Sequence, residues 1–178
     1  MKTNPIYRFF KHFFSHRWQV KNYFSENALQ NIENAIAASE KLNQGEISFI
    51  VEAGLHPFEI IFKKTPRKRA IEVFSRLHIW DTEANNGALI YLLLADRDVE
   101  IVADRGIHQH VGHSGWEAIC RDMEVMFRRG EFEAGVLHGI ARIGGLLQKH
   151  FPLENVNKSP TKPTKKKQNE ISNKPHIL

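Results

Sequence analysis

With 178 residues, 42% of them hydrophobic, the chain is sized for one domain with one sizeable core, and its single cysteine, Cys120, excludes an intramolecular disulfide. Its longest apolar run, residues 88–95, is far short of the roughly 20 residues that cross a bilayer. The formal net charge of +5 lies in two arms, 1–25 and 152–178, around a net-negative stretch 26–151, which argues against specific nucleic-acid binding and suits weak contact of the arms with an anionic membrane.

Asn4 and Pro5 read as the N-cap and first-turn residue of a helix, and Ile6, Phe9, Phe10, Phe13, Phe14 and Trp18 follow at helical spacing. This basic aromatic stretch lacks the apolar centre and cleavage site of a signal peptide, so the chain is expected to stay in the cytoplasm. Ser25 caps a second helix over 26–43, with Leu29, Ile32 and Ile36 on one stripe and Gly45 as its stop. Residues 46–51 alternate as a strand, with Ile47, Phe49 and Val51 on one face. Thr65 and Pro66 open a third helix, with Ile71, Phe74 and Leu77 inward. The polar stretch 80–87 ends in Asn85, Asn86 and Gly87, a turn signal because Asn and Gly tolerate positive φ.

Residues 88–95 are apolar on both faces, as expected of a central strand covered by helices on both sides. Asp96, Arg97 and Asp98 turn tightly into a further strand over 99–104, making a hairpin. Ser114 and Glu117 have capping-box spacing before a helix that carries Trp116, Ile119, Met123 and Phe127 inward, and a last helix covers 132–150. Beyond Pro152 the Pro, Lys, Asn and Thr composition buries too little surface to order itself. The predicted organisation is a basic aromatic helix (1–25), an α/β domain (26–151) and a disordered Lys-rich tail (152–178). The domain is a small mixed β-sheet, a βαβ unit plus a β-hairpin, flanked by helices on both faces.

The run Trp80-Asp81-Thr82-Glu83-Ala84-Asn85-Asn86-Gly87, leading through 88–97 into Glu100-Ile101-Val102-Ala103-Asp104-Arg105-Gly106-Ile107, closely resembles the TPM domain, in particular its stand-alone cytoplasmic bacterial branch. The likeness extends from about Trp18 to Pro152. It implies a small sheet flanked by helices, a divalent metal held by acidic residues as in some members, and acid phosphatase activity of the kind ascribed to a chloroplast relative.

Topology gives a separate grouping of polar residues. The parallel pair starts at Glu46 and Ala88, and the hairpin returns Asp104 to that same end, where the 81–86 loop also arrives. Glu46, Asp81, Glu83, Asn86 and Asp104 thereby form a candidate oxygen-ligand set for Ca²⁺ or Mg²⁺. The alternative is conformational: Asp81 and Asn86 hold a turn, while Glu46 and Asp104 cap strand ends. At the opposite end lie Glu52, His56, Asp96 and Asp98, where the two aspartates read as a solvated hairpin turn.

His108, His110 and His113 have spacing that could present imidazoles to zinc, but they read as a loop without a nearby cysteine. Cys120 reads as a small buried residue. Arg97 and Arg105 are candidate phosphate holders by bidentate hydrogen bonds. No nucleophile motif appears. The expected function is a divalent-cation-binding accessory or interaction module with a protein partner that can be membrane-associated. The alternatives are a metal-dependent phosphatase-like hydrolase and a peripheral membrane adaptor using the N-terminal helix and basic tail.

Overall fold

The computed structural model describes residues 5–153 and 169–178. Helix α1 (Pro5–Phe13) is followed by a 3₁₀ turn at Arg17–Gln19 and then by α2 (Val20–Tyr23) and α3 (Glu26–Glu40). After β1 (Glu46–Glu52), α4 (Pro57–Ile61) and α5 (Pro66–Arg76) cross to β2 (Gly87–Leu93). The hairpin partner β3 (Asp98–Ala103) leads into α6 (Arg105–Arg128), α7 (Phe132–His150) and, at the C-terminus, β4 (His176–Ile177).

The sheet order is β3-β2-β1-β4, with β1 parallel to β2 from Glu46↔Gly87 to Glu52↔Leu93, and β2 antiparallel to β3. This is the expected βαβ unit plus hairpin. Because side chains alternate across a strand, the sheet has two inner faces. Ile47, Phe49, Val51, Ile90 and Ile101 meet α3, α6 and α7 in the larger core. Ile50, Leu89, Tyr91 and Val102 meet Ala70, Val73 and Phe74 of α5 in the smaller one. Ile71, expected inward on that helix, is 44% exposed. Full burial of each such aliphatic side chain is worth about 1.5–3 kcal/mol.

Local chemistry explains the element ends. Ser25 Oγ accepts from the Ala28 N–H at 3.1 Å, and Thr65 Oγ1 from the Lys68 N–H at 3.2 Å, each satisfying a donor that the first turn leaves open. Helices α6 and α7 pack closely because a Cβ at Gly139 would stand 2.5 Å from Met123 Sδ, so the propensity cost of glycine is offset by contact.

Three further expectations are corrected. The first helix does not reach Trp18: Ser15 Oγ donates to the Lys11 carbonyl at 2.6 Å, His16 is extended, and the chain turns into the 3₁₀ segment. The N-cap role of Asn4 lies outside the described residues. Helix α6 starts at Arg105, capped by Asp104, and breaks at Gly112 (φ 68°), so the three histidines lie on helix and not in a loop. The tail is not disordered to its end: His176 and Ile177 pair with Ile50 and Val51 of β1, while residues 154–168 lie outside the described residues.

Candidate functional site

Three of the five candidate ligands meet where β1 and β2 begin and β3 ends. Glu46 opens β1 opposite Gly87, Asn86 precedes that glycine, and the Asp104 N–H donates to the Gly87 carbonyl at 2.8 Å. The 82–86 loop is tied down by Thr82, whose Oγ1 accepts from the Asn86 N–H at 3.0 Å. Asn86 is 1% exposed, and neither its side-chain nitrogen nor its oxygen has a hydrogen-bond partner among the described residues. Asp104 spends Oδ1 on the Arg105 N–H at 2.6 Å, while its buried Oδ2 has no such partner. Unsatisfied buried polar atoms are rare and call for a physical reason.

Asp81 and Glu83 lie on the exposed rim of the same loop. Asp81 lines a cavity of about 270 Å³ with Ser48, His78, Glu170 and His176, and the Glu83 N–H donates to the Glu170 carboxylate at 3.2 Å. Among the described residues, no group of three or more His, Cys, Asp or Glu side chains is placed to hold a metal ion. Arg97 sits in the hairpin turn and Arg105 beyond the other end of β3. Six strand residues span about 20 Å, so the two guanidiniums cannot grip one phosphate. The three histidines are likewise engaged separately. His108 Nδ1 accepts from Trp116 Nε1, His110 stacks on His150, and His113 faces Glu117.

The opposite sheet end is ionic and tightly bonded. Glu52, 6% exposed, accepts two 2.8 Å hydrogen bonds from Arg69 and one from the Tyr91 hydroxyl at 2.5 Å. His56 caps α4, with Glu59 accepting from its backbone N–H at 2.9 Å. Asp96, expected to be a solvated turn residue, instead binds α1: Arg8 Nη2 reaches its Oδ2 at 2.8 Å and His12 Nε2 its Oδ1 at 3.0 Å. The Leu55 N–H donates to His12 Nδ1 at 2.9 Å, which puts the ring proton on Nε2, facing the aspartate. Burial opposes ionisation of Asp96, but hydrogen bonds from His12 and Arg8 outweigh it and hold the carboxyl low, at about 2.

A groove of about 300 Å³ runs along β3, lined by Arg67, Asp98, Glu100, Trp116, Cys120 and Glu124. Burial, then repulsion from Glu100 and Glu124, pushes Asp98 up to about 7. Burial pushes the Cys120 thiol up to about 12, which makes it a poor nucleophile at neutral pH.

The anchoring of α1 has an unexpected consequence. Its inward side is Arg8, His12 and half-buried Phe9, so its remaining apolar residues point away from the domain. Ile6, Tyr7, Phe10, Phe13 and Phe14, with Phe58, Ile61 and Phe62 on and after the adjoining α4, are each 51–80% exposed. Rings along α1 stack on one another, with Phe9–Phe13 centroids 6.1 Å and Phe10–Phe14 centroids 6.4 Å apart. Exposed Arg17, Lys21 and Lys63 flank these elements, and residues 1–25 hold no acid. Sequence reasoning missed α4 as part of this surface, and Arg8 and His12 as the anchor that orients α1. The apolar residues Phe58, Ile60, Ile61 and Phe62 after Pro57 were the available signal.

The TPM domain family model matches residues 19–146. The BA42 protein of the psychrophilic bacterium Bizionia argentinensis is 27% identical, with a TM-score of 0.70 over 87% of this chain and 95% of that one. The N-terminal domain of a P. gingivalis protein is 15% identical, with a TM-score of 0.57 over 77% of this chain and 90% of that one, and supports the fold alone. No curated protein matches. The chain belongs to the TPM domain family.

Proposed function

We propose that this TPM-domain protein is a docking module that rests on the inner, anionic face of a membrane through the aromatic surface of α1 and α4. The observation that carries this reading is the orientation of α1: its ionic side is fixed to Asp96 while its aromatic side faces outward. A contiguous exposed apolar patch marks an interaction surface, and flanking Lys and Arg, with no acid in residues 1–25, fit anionic headgroups. No helix among the described residues is long and apolar enough to cross a membrane, so contact would be peripheral. The experiment is sedimentation of the full chain with phosphatidylglycerol and with phosphatidylcholine vesicles. Binding to the anionic vesicles that fades with salt and is lost in Phe14→Ser with Phe62→Ser is expected. Binding unaffected by those substitutions would assign it to the basic tail alone and defeat the reading.

A second reading, a divalent cation at the opposite sheet end, is favoured by one observation: at that end the buried amide of Asn86 and the buried Oδ2 of Asp104 have no hydrogen-bond partner among the described residues. Oxygen donors of this kind suit Ca²⁺ or Mg²⁺. An ion at a hundredfold excess over its Kd adds about 2.7 kcal/mol of stability. Melting curves should show a Ca²⁺ or Mg²⁺ response that Asp104→Asn removes and Asp98→Asn leaves intact; absence of a response in the parent would end this reading. The phosphatase-like alternative has less support, since Arg97 and Arg105 lie at opposite ends of β3 and Cys120 is held as a thiol.

A further inference from the structure

Among the described residues, four other than glycine hold a left-handed backbone: Lys63, His78, Asn85 and Arg97, with φ between 51° and 53°. A side chain at such a position crowds the following carbonyl, so glycine or asparagine is the ordinary occupant. Asn85 is of that type, and His78 packs on Trp80 with ring centroids 5.8 Å apart. Lys63 and Arg97 have no such compensating contact. Both are exposed, and neither side chain makes a hydrogen bond or ion pair among the described residues.

The turns require the conformation and not the residue. Lys63 follows the end of α4, where its N–H donates to the Ile60 carbonyl at 3.0 Å and the Lys64 N–H to the Glu59 carbonyl at 2.8 Å. This pair of bonds closes a helix on a left-handed residue, and glycine is favoured there. Arg97 closes the β2–β3 hairpin, its N–H donating to the Leu94 carbonyl at 3.0 Å. Lys64 makes the contrast: it is engaged within the fold, donating to Glu59 and Glu72 at 2.8 Å each. Arg8 brings the two strained positions to one side of the molecule. Its guanidinium donates to the Lys64 carbonyl at 3.4 Å and to Asp96 at 2.8 Å, the chain neighbours of Lys63 and Arg97. Phe62, 80% exposed, directly precedes Lys63.

We propose that Lys63 and Arg97 are the headgroup contacts of the docking surface, and that their ligand is the phosphate of an anionic phospholipid; this rests on the membrane-docking reading. Charge kept at two strained positions without an internal partner is charge used outside the molecule. Lysine meets a phosphate as a point charge and arginine by paired hydrogen bonds, while the adjoining Phe62 enters the apolar layer.

The test measures sedimentation with phosphatidylglycerol vesicles, and melting curves, on the full chain with Lys63→Gly, Arg97→Gly and Lys63→Arg. Each glycine variant should bind the vesicles about fivefold more weakly, the effect of one cationic side chain at an anionic surface. Each should also melt no lower than the parent, because glycine takes the left-handed backbone without strain. Lys63→Arg should bind as the parent does. A glycine variant that binds as tightly as the parent, or that melts lower, would overturn the proposal. If binding is lost in Phe14→Ser with Phe62→Ser yet unchanged in both glycine variants, the docking surface stands and its assignment to these two residues falls. A parent that does not bind these vesicles ends both.

Discussion

Helices α1 and α3 are both amphipathic, and they are mounted in opposite senses. Helix α3 turns Ile32 and Ile36 into the larger core, where both are 0% exposed. Helix α1 is held by charge, with Arg8 and His12 on Asp96, and leaves Phe10, Phe13 and Phe14 outside. Periodicity reports that a helix has two faces; which face meets the domain depends on what the domain offers. The sheet offers α3 an apolar surface. At the end of the β2–β3 hairpin it offers α1 a carboxylate, and the aromatic side is left for something else.

That contrast can be broken at its strongest point first. Ile36→Ala should destabilise the chain by about 2–5 kcal/mol in denaturant unfolding, as removal of a fully buried aliphatic side chain does. Asp96→Asn should cost less, about 1.5–3 kcal/mol for charge-assisted hydrogen bonds, and should free α1. The same anchor predicts a pH dependence. Because the folded Asp96 carboxyl titrates near 2, below its ordinary 3.8, its contribution is complete above about pH 4 and is lost as pH falls through about 2. Unfolding curves between those pH values should lose this component in the parent and show no such loss in Asp96→Asn.

Asp98 should behave with the opposite sign. Its folded value of about 7 lies above the ordinary 3.8, so stability is fully present below about pH 4 and falls as pH rises through about 7. Asp98→Asn should therefore melt higher than the parent at pH 8; an unchanged melting point would show that the β3 groove does not strain this carboxylate. The smallest stability effect belongs to α1 itself. Phe13→Ser, at a residue 51% exposed, should change unfolding free energy by no more than about 0.5 kcal/mol while weakening vesicle binding.

The central strands were legible because 88–95 is a continuous apolar run and 46–51 alternates, patterns set by local burial. The 132–150 helix was legible for the same reason, and so was the meeting of Glu46, Asn86 and Asp104, which follows from strand direction alone. The mounting of α1 was not, since Arg8 finds its partner 88 residues away and no local pattern announces it. Strand β4 was hidden because its two ladder residues sit in a segment whose composition is that of a tail. Asp104 reads as a ligand and not as the cap of α6 because Ser114 with Glu117 has the pattern of a helix start; the break at Gly112 reconciles the two signals.

Hydrogen exchange of the full chain with and without phosphatidylglycerol vesicles tests the account most directly, because it reads both helices in one experiment. The outward mounting of α1 predicts added protection over Pro5–Phe13 and Pro57–Ile61 and none over Glu26–Glu40. Protection absent from α1 and α4, or concentrated instead in α3, would contradict it.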